Sequence, residues 1–244
     1  MEKIFSPFTM VLLGVFILVQ QVQVSAQSKR VRGNGDVTTE VHDVKAFSEL
    51  ELAGVLNVYI EQGDKESVTV ETDENLHKFV MIENRGNTLI IDTQERISIK
   101  RKNKMNVYVT VRDIDRLKIS GVGNVETTET LRLKDLDLRI KSVGNVSLDL
   151  ESDNLDARLS SLGNVSLSGK IGKADIDNKG VGRLAAYDLQ NEVLKLRASG
   201  VGRTEVYASK ELAIKSTGVG NVYYKGDAVI TDLNIRGVGK VKKR

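Results

Sequence analysis

Seven times between Ser120 and Val241 the chain returns to Gly-Val-Gly-Asn-Val or a close variant, every eighteen to twenty-one residues. Ser120-Gly121-Val122-Gly123-Asn124-Val125 is the fullest copy, and Gly237-Val238-Gly239-Lys240-Val241 is the last. So short a period, filled with β-type residues, points to a solenoid in which each repeat is one coil.

The side-chain pattern agrees when the second glycine of each copy is taken as origin: Gly123, Gly144, Gly163, Gly182, Gly202, Gly220 and Gly239. Six positions earlier stand Leu117, Leu138, Ala157, Ile176, Leu196, Ile214 and Leu233, and two positions later Val125, Val146, Val165, Leu184, Thr204, Val222 and Val241. Intervening positions are mostly polar, so the period is two and the element is a strand with one buried face. The residue before the origin is always Val or Leu, and the one before that is always Gly or Ser. Stacked small residues imply a tight corner. A helix is excluded, since each internal glycine would cost about 1 kcal/mol. The expected fold is an all-β, right-handed, single-stranded parallel β-helix, with its hand taken from the usual chirality of parallel connections. Regular coils run over 116–244. Residues 27–115 read as irregular β coils or a cap of the same domain, with strands at Leu56–Ile60, Ser67–Val70, Leu89–Ile91 and Val107–Val111. Gly54-Val55-Leu56-Asn57-Val58 reads as one further copy, with Leu56 in place of the glycine.

Residues 1–26 read as a signal peptide. Lys3 supplies a positive start, Ile4 to Val19 are largely apolar, and Val24-Ser25-Ala26 offers a cleavage site before Gln27. No second apolar run follows, so no integral span is expected after cleavage, and the chain is expected in the periplasm, at the outer membrane or secreted. There are no cysteines, so stability must come from the core and the backbone ladder rather than disulfides. A net charge of +3 with interspersed signs gives no nucleic-acid signature.

The export signal, Phe47 with Leu50-Glu51-Leu52-Ala53-Gly54, Asn57-Val58-Tyr59-Ile60 followed by Gly63, and the serial coils together resemble the head GIN domain of autotransporter adhesins. That family is abundant in Bacteroidetes-type bacteria, and the resemblance spans roughly residues 30 to 244. It implies a right-handed parallel β-helix, an envelope or secreted location and an adhesive role, and it transfers no catalytic residue. The chain departs from the pattern where Arg183, Arg203 and Lys240 replace the repeat asparagine.

Several columns are candidate sites. Asn124, Asn145, Asn164 and Asn221 form a column of turn residues whose amides can hydrogen-bond along the axis. Five residues before the origin Arg139, Arg158, Arg197 and Lys215 form a second column, with Asp137, Asp156 and Asp175 seven residues before it. These read either as a solvated salt-bridge lattice or as a cationic stripe that grips an anionic glycan or envelope polymer, assisted by Tyr187 and Tyr207. The aspartates alone suit a shared Ca²⁺ or paired catalytic acids, but each has a basic neighbour. His42 and His77, with no cysteine, support neither zinc nor a triad. The reading is therefore a non-enzymatic envelope adhesion module without metal or cofactor, whose partner is an anionic polymer or a surface protein. The rivals are a polysaccharide-active enzyme on the same scaffold and a purely structural envelope protein. A homo-oligomer is compatible with the open sheet edge, although Lys242-Lys243-Arg244 discourages end-to-end stacking.

Overall fold

The structure, a computed structural model, describes residues 29–94, 97–100 and 105–244. The expected signal peptide lies outside the described residues. The strands in chain order begin with β1 (Lys29–Arg32), β2 (Val37–His42), β3 (Glu49–Val55), β4 (Asn57–Gln62) and β5 (Ser67–Asp73). A short 3-10 helix, Glu74–Phe79, leads into β6 (Val80–Arg85), β7 (Thr88–Thr93), β8 (Ile97–Lys100) and β9 (Asn106–Val111). The coils follow as β10 (Arg116–Val122), β11 (Val125–Thr127), β12 (Leu131–Ile140), β13 (Val146–Leu159) and β14 (Leu162–Asn178). The last are β15 (Val181–Ala198), β16 (Val201–Ser216), β17 (Val219–Lys225), β18 (Val229–Ile235) and β19 (Val241–Lys243).

From β10 onward the chain is a parallel β-solenoid, and the whole comprises about 7 turns. Equivalent residues pair from coil to coil: Leu117 with Leu138, Leu138 with Ala157, Ala157 with Ile176, Ile176 with Leu196 and Leu196 with Ile214. All six are essentially inaccessible to solvent. The alternation read from the sequence thus becomes a continuous column of aliphatic side chains, one per rung of about 4.8 Å. The expected extra copy is present: Gly54 pairs with Gly121, Val55 with Val122 and Val58 with Val125.

The irregular N-terminal portion has an order the sequence does not announce. The coil formed by β3 and β4 stacks on β10 and β11 on one side, and on β7 and β9 on the other. A later stretch of chain therefore lies outside an earlier one. The outer end is closed by strands of opposite direction: β6 on β7, β5 on β9 and β2 on β5. β1 and β8 form a separate parallel pair. Among the described residues the opposite end has no such cover. Leu233 and Ile235 sit at inward positions yet are 47% and 45% exposed, while Ile214 one coil before is fully buried.

The corner explains the motif. At Gly182 φ is +133°, and a Cβ there would fall on the carbonyl oxygen of Gly163 in the preceding coil. At Gly200, two positions before the next origin, a Cβ would meet the carbonyl of Gly180. Close approach of successive backbones therefore keeps both flanking positions small. The residue between them turns outward. Val55, Val122, Val143, Leu162, Val181, Val201, Val219 and Val238 pair in one unbroken column along the whole solenoid. They are between 44% and 72% exposed, an aliphatic ridge standing proud of a corner otherwise made of glycine and serine.

Candidate binding surface

On the strand before the corner, the arginines alternate with aspartates in a zigzag. Arg139 Nε lies 2.6 Å from Asp137 Oδ1, and its Nη1 donates to Asp156 Oδ1 at 3.2 Å. Arg158 Nη1 bridges Asp156 at 2.7 Å and Asp175 at 3.3 Å, and Arg197 Nη2 donates to Asp175 Oδ1 at 2.6 Å. Arg116 joins the same lattice through Asp137 and Glu49. Each aspartate thus faces at least two cations, so the column is close to neutral. Lys215, next to Arg197 in register, has no ion pair among the described residues.

The asparagine column is hydrogen-bonded along the axis. Asn164 Nδ2 donates to Asn145 Oδ1 at 3.2 Å, and Asn145 Nδ2 to Asn124 Oδ1 at 3.4 Å. The column continues into the irregular region, where Asn57 accepts from the Asn124 backbone and donates to Asn106. Toward the other end it changes character, because Arg183 and Arg203 occupy the next two places. Asn221 follows, and its Oδ1 accepts from the backbone of Lys240.

Those two arginines converge on Glu205, which is 1% exposed although it occupies an outward position on β16. Arg183 Nε donates to Glu205 Oε2 at 2.6 Å, and Arg203 binds the other carboxylate oxygen. The Arg203 guanidinium lies 4.5 Å over the Tyr223 ring and that of Arg244 4.7 Å from the same ring. Lys225 Nζ lies 4.4 Å over Tyr187. Burial raises the pKa of the Tyr187 hydroxyl, the Glu205 charge raises it further, and Arg203 opposes both. Outward positions on the strands after the corner therefore hold Arg183, Arg203, Lys240, Lys242, Lys225 and Arg244 against the carboxylates of Glu205 and, in β15, Asp188. In earlier coils the equivalent places hold Asn145, Asn164, Ser147, Ser166 and Ser168, with the acids Glu126 and Asp149. A polar, weakly acidic face becomes a cationic, aromatic one.

The sequence-derived candidates do not gather on one surface. Arg139, Arg158, Arg197 and Lys215 lie before the corner, while Tyr187 and Tyr207 lie after it. Tyr187 belongs to the cationic face through a bulge in β15, where Tyr187, Asp188 and Leu189 lie between Ala186, paired with Val206, and Gln190, paired with Tyr207. Tyr207 instead lines an open trough of about 480 Å³ with Gln190, Lys170, Asp153, Glu151 and Arg132. Arg132 also borders a second hollow, of about 620 Å³, with Arg112, Glu129 and Asp64. Two trough carboxylates are ion-paired, Glu151 with Arg132 and Glu192 with Lys210. Among the described residues no group of three or more acidic or histidine side chains is placed to hold a metal. His42 and His77 flank Glu40 at the closed end, at 3.9 and 3.6 Å. Glu205 and Arg244 were not among the sequence candidates. Their signal was available in the replacement of asparagine by arginine in successive coils, two residues before Glu205 in the second of them.

No helix of the described residues is long and apolar enough to cross a membrane. A search of the curated proteins finds no match. Among solved structures, a "putative adhesin" from Bacteroides fragilis matches with a TM-score of 0.84 and 26% identity, over 88% of this chain and 100% of that one. A "putative lipid binding protein" and a "putative adhesin", both from Parabacteroides distasonis, match with TM-scores of 0.69 and 0.67 and identities of 23% and 24%. Each pairs 88% of this chain with 100% of its own, and these two likenesses speak to the fold alone. Residues 46–228 match the family described as "Putative auto-transporter adhesin, head GIN domain". The chain belongs to that family.

Proposed function

We propose that this chain is an exported, non-catalytic adhesion module that holds an extended anionic polymer, such as a uronate- or sulfate-bearing glycan, against the outer face of its last coils. Family membership supports a binding role. The observation that carries the choice of face is the excess of Arg183, Arg203, Lys225, Lys240, Lys242 and Arg244 over Glu205 and Asp188. The arginine–aspartate column before the corner spends its charge on itself. A rigid sheet presents cations at a spacing fixed by its rungs, so many weak contacts to a regularly charged chain sum to firm attachment. The Tyr223 ring lies 4.5 and 4.7 Å from the guanidinium groups of Arg203 and Arg244, and that of Arg244 has no ion pair among the described residues, which leaves it for carboxylate or sulfate.

The test is binding to acidic and neutral polysaccharides at low and high salt. Salt-sensitive binding to the acidic set is expected, abolished by Lys225→Glu with Lys242→Glu and Arg244→Glu. It is expected to survive Arg139→Gln with Arg158→Gln and Arg197→Gln. The opposite ranking would return the site to the stripe of Arg139, Arg158, Arg197 and Lys215. New reducing ends released from any polymer would instead favour the enzyme reading.

A further inference from the structure

We propose that the aliphatic ridge from Val55 to Val238 docks the solenoid side-on to a lipid surface carrying anionic headgroups. This is a second contact, made by the aliphatic row itself, and it borders the polymer-binding face along Arg183, Arg203 and Lys240. An apolar row this long and this exposed is uncommon on a monomer surface and marks an interaction site. Eight rungs at strand spacing make a straight edge of about 34 Å. Stacking within the column accounts for the buried half of each side chain but leaves the other half in water.

The internal repeats sharpen the point, because the same position recurs in every coil. The residue three before the origin varies among Ala53, Ser120, Lys141, Ser160, Lys179, Ser199, Thr217 and Arg236, all of which stack in the same solenoid. Serine and threonine thus serve the rungs well enough, yet the ridge position is aliphatic in every coil. The glycines and serines on either side add no side chain that could shield it.

What flanks the ridge decides what covers it. The columns on its two sides hold Ala53, serine, threonine, asparagine, Lys141, Lys179, Arg236, Arg183, Arg203 and Lys240, and no aspartate or glutamate. Lys179 pairs with Asp177, and Arg183 and Arg203 with Glu205, but those carboxylates lie one position further out. An apolar edge rimmed by cations complements a layer with acyl chains below and phosphates at its surface. A second copy of this chain would bring its own Lys141, Lys179, Arg183, Arg203, Arg236 and Lys240 with no carboxylate in either flanking column to meet them, and a hydrophilic polymer offers nothing to the valines.

The test uses the chain from Gln27 onward, which contains every strand described, with vesicles of phosphatidylcholine alone or mixed with phosphatidylglycerol. Co-sedimentation with the mixed vesicles only is expected. Val143→Thr, Val181→Thr, Val201→Thr and Val219→Thr together keep the β-branched shape and are expected to lower partitioning about tenfold or more. Lys141→Glu and Arg236→Glu, both at exposed positions, are each expected to lower it about fivefold, and they keep the proposal testable should the threonine variant not fold. Absence of binding to mixed vesicles, or equal binding by the folded threonine variant, would overturn the proposal. So would a dimer in sedimentation that falls apart in that variant without any vesicle binding, since the ridge would then belong to a second copy. Acidic-polysaccharide binding by the threonine variant is expected to be unchanged, which separates failure here from failure of the polymer site.

Discussion

Gly182 and Gly86 both have positive φ, +133° and +61°, yet they differ in what surrounds them. A Cβ on Gly86, in the turn between β6 and β7, meets nothing within 4 Å, whereas one on Gly182 collides with the backbone of the coil before it. Gly86→Ala should therefore cost about 1 kcal/mol, the left-handed penalty alone. Gly182→Ala should cost about 3 kcal/mol or more, because strain and a backbone clash combine. Denaturant unfolding of the two variants checks the ordering. Glu205→Gln leaves Arg183 and Arg203 crowded without their shared countercharge, and a loss of about 2 kcal/mol is expected, measured the same way. The corner was legible in the sequence because a column of Gly and Ser states a steric limit outright. Glu205 was not. Its position reads as one more outward residue, and its burial comes from side chains that only the stacking of separate coils brings over it.

At the scale of strands, a small polar cluster ties two strands of the closed end together. Glu71 on β5 accepts from Asn106 Nδ2 at 3.0 Å and from the Tyr108 hydroxyl at 2.9 Å, both on β9. The Asn106 hydrogen bond, then that of Tyr108, lowers the Glu71 pKa, and the same bond to Glu71 raises that of Tyr108. A carboxylate whose folded pKa lies below its unfolded value stabilises above the ordinary carboxylate range and ceases to do so as pH falls through the folded value. A phenol whose folded pKa is raised stabilises below its ordinary range and ceases to do so as pH climbs through the raised value. Thermal unfolding from neutral to acid pH should thus show a component that Glu71→Gln removes. The strands here were visible as alternating apolar runs, and β4, β5, β7 and β9 lie where the pattern puts them. Their neighbours were not visible. Alternation says which face is buried, but neither which strand lies alongside nor in which direction it runs.

Across the whole molecule, stability is close to a sum over rungs, since each coil touches only those beside it. Such a stack loosens from whichever end is less covered. Leu233 and Ile235 are half exposed at one end, while β2, β5 and β6 close the other. Amide hydrogen exchange should be fastest in β18 and β19 and slow progressively toward β13. A chain with protection highest at β18 would contradict this picture.

The doubling-back of β3 and β4 has a kinetic meaning. Later coils close on partners about twenty residues away, as Arg116 does on Asp137 and Asn145 on Asn164. By contrast, Lys118 meets Glu51 across 67 residues, and Asn57 meets Asn106 across 49. Loops of that length are slow to close, and long-range strand pairing comes late unless something compels it early. Here the order of synthesis compels it. The N-terminal block emerges first and carries its own complement of partners, so it sets the template on which each following coil has only a short search to make. Folding is therefore expected to show one slow start followed by a rapid run toward the C-terminus.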